Sequence, residues 1–308
     1  MISPTLVLVQ TLNGVQFGVM LFLFAAGLTL VLGIMNLVNL AHGSLYMLGA
    51  YYTATIAQWT GSFVIGLVAA LPLIFITGAA IEWVVLRRLY TRDHLDQVLA
   101  TFGLILLLNE AARLVWGEGG LYVEMPALLS GSVRLAPGII YPVYRLTIIA
   151  IGLAIAVALY VIVARTRLGM LIRAGASNRE MVEALGIDIR LLFTAVFGLG
   201  AMLAALAGGL AGPLFSVNPG MGDSVLILAL VVVVIGGIGS IRGSFLAALA
   251  IGIVDTIGRA FLPGLFAAFL PRPVADAIGP ATASVLIYLL MAVVLFFRPQ
   301  GLFPARHG

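Results

Sequence analysis

The sequence predicts an all-α, polytopic membrane protein with about nine transmembrane helices. Residues 1–81 contain no Asp, Glu, Lys or Arg, and this stretch is several times longer than one bilayer crossing. Over the 308 residues, 62% are hydrophobic and only 9% are charged, whereas soluble domains usually carry about 25% charged residues. A soluble chain needs more charges than this to keep its surface hydrated. We therefore expect residues 1–308 to form one transmembrane domain.

Nine apolar stretches are candidates for crossing a hydrocarbon layer of about 30 Å. They are residues 8–34, 44–59, 63–86, 97–116, 143–164, 191–214, 223–240, 243–262 and 281–297. The second and the seventh are short, and the eighth begins almost where the seventh ends. Broken or re-entrant segments are expected there, because such segments are tolerated only beside protein or a water-filled cavity. Merging one of these segments with its neighbour gives an eight-span alternative.

The distribution of arginine predicts the orientation, because cytoplasmic loops of membrane proteins carry an excess of positive charge. With nine spans, the connections after spans three, five and seven and the C-terminal segment lie on one side. That side contains Arg87, Arg88, Arg92, Arg165, Arg167, Arg173, Arg179, Arg242, Arg298 and Arg306. We expect it to be the cytoplasm, which places the N-terminus outside and the C-terminus inside.

Three polar connections are long enough to have structure of their own. Residues 117–142 combine Gly and Pro with short β-type runs and predict a small hairpin on the outer surface. Residues 263–280 are bracketed by prolines and predict a short interfacial helix. Residues 165–190 form the longest polar segment on the cytoplasmic side.

Within residues 165–190, Ser177 and Glu180 have the spacing of a capping box, in which each side chain binds the other residue's backbone N–H. A helix over residues 178–185 is predicted, with Gly186 in the left-handed position after its end.

Met181, Val182 and Leu185 would share one apolar face of this helix. A helix of about eight residues is unstable alone in water, so it needs a docking surface. The surface is either the protein's own membrane ends or a separate cytoplasmic partner.

Polar residues follow the first long apolar stretch at Asn36, Asn39 and His42. One interpretation is a broken helix at residues 33–43 whose polar groups line a transport path, because such groups are costly inside hydrocarbon without partners. The other interpretation places them at the cytoplasmic membrane surface, where polarity costs little.

Gly236, Gly237 and Gly239 precede Ser240 and Gly243 and predict a tight reversal of the chain. This reversal is either a re-entrant turn beside the path or a close-packed helical hairpin.

Opposite charges recur at helical spacing within the apolar stretches. The pairs are Glu82 with Arg87, Glu110 with Arg113, and Asp255 with Arg259. We expect mutual neutralisation near the membrane ends, with a proton route as the alternative. Asp223 is expected to cap a helix N-terminus, which favours a carboxylate, rather than to bind a substrate amine. Ala204, Gly208, Gly209 and Gly212 predict a packing surface of small residues.

Four stretches carry a resemblance to a known family: residues 27–51, with the cluster Asn39-Leu40-Ala41-His42-Gly43, and residues 173–212, 231–261 and 297–303. Together they resemble the LivH-type permease of branched-chain amino acid ABC importers. The segment containing Arg167, Gly169, Arg173, Ala174, Glu183, Ala184 and Gly186 resembles the ATPase-coupling loop of importer permeases. The glycine comes earlier here than in the best-known version of that loop.

The resemblance implies an all-helical subunit of the bacterial inner membrane that imports branched-chain or related amino acids by alternating access. Its implied partners are a second, LivM-like permease, two cytoplasmic ATPases and a periplasmic amino-acid-binding protein. The residues implied in ATPase coupling are Arg173, Ala176, Ser177, Asn178, Glu180, Glu183, Ala184 and Gly186. The chain lacks a G-x-x-x-x-G-K-[ST] loop and so is not the ATPase itself. No cofactor, metal, catalytic residue or nucleic-acid partner is expected.

Two other classes of protein remain open from the residues alone. A secondary carrier driven by a proton or sodium gradient would need a buried titratable group, and Glu110 or Asp255 would be the candidates. An intramembrane enzyme is disfavoured because the three histidines are scattered and no nucleophile–base spacing occurs.

Overall fold

The protein is an α-helical bundle with one small β-hairpin. The computed structural model describes residues 4–136 and 138–303, apart from the side chains of Arg179 and Glu180. The helices are α1 (Pro4–Met35), α2 (His42–Thr60), α3 (Phe63–Val84), α4 (His94–Trp116), α5 (Val143–Arg165), α6 (Arg167–Ser177), α7 (Arg179–Ala184), α8 (Ile189–Ala211), α9 (Met221–Gly236), α10 (Ile241–Phe266) and α11 (Arg272–Phe297). Single 3-10 turns lie at Leu86–Arg88 and Ala127–Leu129. Strands β1 (Ser132–Ala136) and β2 (Ile139–Pro142) pair antiparallel.

Seven helices in the described part of the chain are long and apolar enough to cross a membrane. They are α1, α3, α4, α5, α8, α10 and α11. Helices α2 and α9, which correspond to the two short predicted spans, are not among them. The all-α polytopic class is confirmed, whereas the count of nine spans is not.

Helix α1 is the centre of the bundle. It is apolar on every side, as expected for a helix surrounded by protein, and Phe22, Phe24 and Leu28 are fully buried. It packs along α8 and α10. A Cβ added at Gly27 would lie 2.5 Å from the carbonyl oxygen of Gly200 in α8, so only glycine permits this approach.

Small residues also bring α8 against α2. A Cβ added at Gly209 would lie 2.5 Å from a methyl group of Leu67 in α3, and Gly208 contacts the backbone of Tyr46 in α2. The predicted packing surface of small residues is therefore confirmed at these two positions. Helix α8 links α1, α2 and α3 into one rigid unit.

One end of the bundle is rich in arginine. It contains the end of α1, residues 86–97, residues 165–190, the α9–α10 turn and residues 298–303. A cavity of about 570 Å³ lies among these segments and is lined by Asn36, Arg92 and Ser177. Ten of the fifteen described arginines lie at this end. We call it the arginine-rich end.

The opposite end carries the predicted hairpin, which is confirmed as β1 and β2. Leu121 does not join the hairpin and instead pairs with Val217, in the connection between α8 and α9. Asn13 in α1 accepts hydrogen bonds from Tyr141 at 3.1 Å and from Arg145 at 2.6 Å, which hold the hairpin and the start of α5 against α1.

The predicted interfacial helix over residues 263–280 is wrong. Helix α10 continues to Phe266 and α11 begins at Arg272, so residues 267–271 are only a turn. Pro263 does not end α10, and Pro280 lies inside α11 without ending it. Tertiary packing overrides the proline signal here, because Gly279 gives the Pro263 ring room.

The three predicted ion pairs are present. Arg113 binds Glu110 at 2.7 Å on the exposed surface of α4, and Arg259 binds Asp255 at 2.8 Å. Glu82 is fully buried, and Arg87 lies 3.2 Å from its carboxylate.

Glu82 also accepts hydrogen bonds of 2.6 Å from the hydroxyls of Tyr90 and Thr194. This carboxylate therefore ties α3 and the α3–α4 connection to the start of α8. All three donors bind one buried charge, so the cluster is well satisfied.

We expect Glu82→Gln to destabilise the protein by about 2 kcal/mol, because Arg87 and two hydroxyls lose a charged acceptor in a buried position. The measurement is unfolding by sodium dodecyl sulfate titration in mild detergent. The matched control is Glu110→Gln, an exposed pair for which we expect a change of about 0–1 kcal/mol. Equal effects of the two substitutions would contradict the structural role of Glu82.

We expect Gly222→Ala to lower the melting temperature and the yield of monodisperse protein, because its Cβ would overlap the backbone carbonyl of Gly43. Overpacking of this kind costs about 1–3 kcal/mol. Gly103→Ala in α4 is the control, since a Cβ there meets no atom within 4 Å. A Gly222→Ala protein as stable as the control would show that the contact is dispensable.

Candidate functional site

Helix α2 begins in the middle of the bundle rather than at its surface. The His42 ring centroid lies 4.9 Å from that of Phe24, and His42 Nε2 lies 3.3 Å from the Phe24 carbonyl oxygen. Phe24 precedes the end of α1 at Met35 by eleven residues, which is about 16 Å of helix. That distance is about half of a 30 Å hydrocarbon layer. His42 is therefore buried inside the bundle, which supports the broken-helix interpretation, and a role of Asn36, Asn39 and His42 in the transport path stays a prediction.

Residues 36–41 form the non-helical connection that returns from the arginine-rich end to this depth. Asn36 is exposed at the end of α1 and has a φ of 50°, a left-handed conformation that Asn tolerates better than most residues. Asn39 is buried beside the start of α2. The three predicted path residues are thus spread over half of the membrane depth.

Helix α9 also begins at this depth. A Cβ added at Gly43 would lie 2.7 Å from the Gly222 carbonyl oxygen, so the first turns of α2 and α9 touch through their backbones. The Gly220 N–H donates to the Met47 sulfur at 3.3 Å. From this point α9 has 16 residues, or about 24 Å, to reach the arginine-rich end. We call the contact at Gly43 and Gly222 the α2–α9 junction.

The two helix starts share a sequence signal that the sequence analysis missed. Residues 38–43 read Val-Asn-Leu-Ala-His-Gly, and residues 217–222 read Val-Asn-Pro-Gly-Met-Gly. Each Val-Asn-x-x-x-Gly run connects a long helix to a helix that starts at mid-depth, α1 to α2 and α8 to α9. The two long helices run in opposite directions, so the chain contains two copies of one motif with inverted orientation, an arrangement found around transporter substrate sites.

Neither first turn at the junction has a side-chain cap. The N-cap residues are Ala41 and Gly220, whose own side chains offer no acceptor to the first turn. A helix N-terminus carries about half a positive charge, and this partial charge is weakly screened away from water. The junction therefore combines two partial positive charges at mid-depth.

Several buried polar atoms at the start of α2 have no hydrogen-bond partner in the described structure. They are Asn39 Nδ2, His42 Nδ1 and Ser44 Oγ. His42 Nε2 faces a carbonyl oxygen and must donate a proton to it, so in a neutral ring Nδ1 is an acceptor. Asn39 Oδ1 accepts the N–H of Ala41 at 3.1 Å, which leaves its amide group as a free donor.

Asp223 lies in the first turn of α9, as its preference for a helix N-terminus predicts. It does not cap the helix, and it is exposed on the surface of this chain. Asp223 Oδ2 lies 3.5 Å from the position of a Cβ at Gly220, and Asn109 Nδ2 of α4 lies 4.0 Å from the same point. Asn109 Oδ1 is a further buried acceptor without a partner.

The predicted glycine turn lies elsewhere, at the arginine-rich end. Gly237 and Gly239 have φ values of 98° and 79°, which only glycine adopts readily, and Gly236 contacts Gly243 through its backbone. The C-terminal segment covers this turn, since Leu302 N–H donates to the Ile235 carbonyl at 2.8 Å. The turn is a close-packed helical hairpin, and a role of Gly236, Gly237 or Gly239 in the transport path stays a prediction.

The polar segment of residues 165–190 forms two short helices rather than one. Ser177 is the last residue of α6, and the N-cap of α7 is Asn178, whose Oδ1 accepts the Met181 N–H at 2.9 Å. The Ser177 capping box is therefore wrong by one residue, because the Asn side chain competes successfully for this position. The Glu180 side chain lies outside the described residues. Helix α7 has six residues, fewer than predicted.

Gly186 follows α7 with a φ of 80°, as predicted for a residue that ends a helix in the left-handed conformation. Of the predicted apolar face, only Val182 is buried, whereas Met181 and Leu185 are 59% and 72% exposed. Glu183 and Ala184 are also exposed. The face of α7 is therefore only partly covered by this chain.

The remaining predicted coupling residues lie on α6. Arg173 donates to the carbonyl oxygen of Val163 at the end of α5. Ala176 and Ser177 line the cavity of about 570 Å³ beside Asn36. The structure thus brings this segment close to the end of α1, but not to the α2–α9 junction. Among the described residues, no group of three His, Asp or Glu side chains is placed to hold a metal ion.

Known membrane permeases are similar to this chain over almost its whole length. Residues 10–295 match the family model described as "Branched-chain amino acid transport system / permease component". The chain is similar to the high-affinity branched-chain amino acid transport system permease protein BraD of Pseudomonas aeruginosa, with 30% identity over 95% of this chain and 94% of the relative. It is also similar to LivH of Escherichia coli K12, with 29% identity over 95% and 94% of the two chains.

A more distant relative is the probable branched-chain amino acid transport permease protein LivH of Methanocaldococcus jannaschii, with 26% identity over 92% of this chain and 88% of the relative. No solved structure matches the chain. The family model covers almost all of the helical bundle, including both helices of the α2–α9 junction. The chain therefore belongs to the family of branched-chain amino acid transport system permease components, and it is a permease rather than an enzyme.

Proposed function

We propose that this chain is the membrane subunit of an ATP-driven importer that moves branched-chain or related amino acids into the cytoplasm by alternating access. The observation that carries the proposal is the α2–α9 junction, where two helices with inverted orientation begin at mid-depth. Helices of this kind line substrate sites because the positive ends of their dipoles lie inside the membrane, where they act on polar groups of the substrate. Membership of the permease family supports the class of cargo.

The protein would lie in the bacterial inner membrane with its arginine-rich end in the cytoplasm. The excess of arginine at that end supports this orientation. The N-terminus would be outside, because α1 runs from the opposite end toward the arginine-rich end. The hairpin of β1 and β2 would then face the side from which a periplasmic binding protein delivers the amino acid.

Two cytoplasmic ATPases would act on residues 165–190. The exposed apolar side chains of Met181 and Leu185 support this role, because α7 is too short to be stable without a further docking surface. Val182 anchors α7 to the rest of the chain. A second, LivM-like permease would complete the membrane part of the assembly.

Motion of α7 would reach the transport path through α8. Gly186 and Asp188 connect α7 directly to the start of α8, where Asp188 accepts the N–H groups of Arg190 and Leu191 at 2.9 and 3.1 Å. Helix α8 contacts Gly27 of α1 and Gly49 of α2 on either side of the break in the chain. A shift of α8 would therefore change the opening between α1 and α2.

A secondary carrier has less support. Its two candidate titratable groups, Glu110 and Asp255, are each held by an arginine at 2.7 and 2.8 Å. Each carboxylate thus already has a cationic partner within this chain.

We expect deletion of residues 178–185 to abolish coupling. With the complete importer reconstituted in vesicles, leucine uptake should fall about tenfold or more, which corresponds to at least about 1.4 kcal/mol in the activation free energy of uptake. ATP hydrolysis by the partner subunits should continue. Gly186→Pro should have the same effect, because proline cannot adopt the φ of 80° observed at this position.

The control is Gly264→Ala near the end of α10, where an added Cβ meets no atom within 4 Å. This variant should transport like the parent protein. Uptake that survives the deletion would rule out coupling through α7, and uptake by the purified chain without ATPases would rule out the importer.

A further inference from the structure

We propose that the α2–α9 junction binds the α-ammonium group of the transported amino acid, and that Asp223 is the principal ligand. This inference rests on the proposed function and adds to it the part of the substrate that is recognised at mid-depth. The expected ligand is an aliphatic amino acid in its zwitterionic form, with its ammonium group directed to the start of α9.

The position of Asp223 is the first reason. It follows Gly222 directly, and Gly222 touches Gly43 at the depth of Phe24, about 16 Å from the end of α1. Asp223 is nevertheless exposed on the surface of this chain. A carboxylate at the middle of a membrane cannot face hydrocarbon without a large energetic cost. Its surface must face water or protein in the working assembly.

The lack of a partner is the second reason. The other three membrane carboxylates discussed above, Glu82, Glu110 and Asp255, each bind an arginine within 3.2 Å. Among the described contacts, Asp223 has neither an ion pair nor a side-chain hydrogen bond. The charge of Asp223 is thus available to a cation that the chain itself does not supply.

Neighbouring acceptors are the third reason. Asn109 Oδ1 and His42 Nδ1 are buried and have no donor. Asn109 and Asp223 both lie within 4.0 Å of the position that a Cβ at Gly220 would take, and His42 precedes Gly43 at the junction. Buried acceptors without donors are costly, and an ammonium group brings three N–H donors. Asp223 and Asn109 therefore lie close together beside Gly220, whereas the His42 ring packs against Phe24 of α1.

The arrangement also accommodates the anionic end of a zwitterion. Asn39 Nδ2 is a buried donor without an acceptor, and the uncapped first turn of α2 carries partial positive charge. The start of α2 thus offers one unpaired donor, Asn39 Nδ2, and Asp223 offers a carboxylate at the start of α9. A zwitterion oriented across the junction would satisfy both groups.

Asp223→Asn should lower leucine uptake by the complete reconstituted importer about tenfold to a hundredfold, which corresponds to the loss of a charge-assisted hydrogen bond. ATP hydrolysis stimulated by the loaded binding protein should change less than twofold, and Asp223→Glu should recover part of the uptake. The matched control is Asp276→Asn, which removes an exposed carboxylate of α11 far from the junction and should transport like the parent.

The absence of cysteine from the chain permits a second test that does not depend on Asp223 itself. Ser224→Cys should react with a membrane-impermeant, positively charged methanethiosulfonate reagent, and leucine should slow the reaction. Val285→Cys, at an exposed position in the middle of α11, should not react because it faces lipid. Mass analysis of this chain measures the modification.

Uptake by Asp223→Asn at the parent level would overturn the proposal, as would a Ser224→Cys thiol that is inert or insensitive to leucine. Loss of the second permease from the purified Asp223→Asn complex would also overturn it, because Asp223 would then bind the partner rather than the substrate. If the parent importer shows ATP-driven uptake, none of these outcomes contradicts the proposed function. Absence of ATP-driven uptake by the parent would instead refute the proposed function.

Discussion

The backbone contact between Gly43 and Gly222 is the constraint on which the rest of the structure depends. Two helices that begin inside a membrane expose N–H groups at a depth where water is scarce. Packing their first turns against each other, without side chains between them, limits the volume in which these groups need partners. The lengths of the connections follow from this contact, because residues 36–41 and 212–220 must each reach the junction from opposite ends of the bundle.

The junction keeps polar atoms unsatisfied in a protein that otherwise satisfies its buried charges. Glu82 receives three donors, whereas Asn39, His42 and Ser44 each keep a buried atom without a partner. An unsatisfied buried polar group costs about 1–3 kcal/mol. Local violations of this kind concentrate at functional sites, where a ligand supplies the missing partner. Tyr51 and Gln97 also keep a buried atom without a partner, so it is the clustering of Asn39, His42 and Ser44 at one helix start that singles out this region.

The sequence was sufficient for the membrane class, the hairpin and the ion pairs, because each of these follows from composition or from short spacings. It was insufficient for the depth of His42. Hydropathy measures how apolar a segment is, but not where its first residue lies relative to other helices. The start of α2 is set by contacts with Phe24 and Gly27, which are fifteen or more residues away along the chain. The Val-Asn-x-x-x-Gly repeat was visible in the sequence, but its meaning required both helix starts to be placed in space.

The errors in the polar segments have the same origin. Ser177 and Asn178 are adjacent and both are good N-caps, so the choice between them depends on where α6 ends, and α6 ends where it packs against α5 and α8. In an isolated chain, Pro263 would be expected to end the helix. In the folded chain the Pro263 ring packs against Gly279. These contacts between α10 and α11 compensate for the backbone hydrogen bond that proline cannot make. Local signals therefore located the elements, and long-range packing fixed their ends.

Helix α8 is where the two functional regions meet. Its first turn is fixed by Asp188 and by the Thr194 hydrogen bond to Glu82, and its middle contacts α1 and α2 through Gly200 and Ala205. Close contacts between backbones leave no soft side chains to absorb a displacement, so a packed helix moves as a unit or not at all. A movement imposed at the arginine-rich end must then appear at the break between α1 and α2. In the proposed importer, such a movement would travel about 16 Å along α8, the distance from Ile189 to Gly200, before it reached α1 at Gly27.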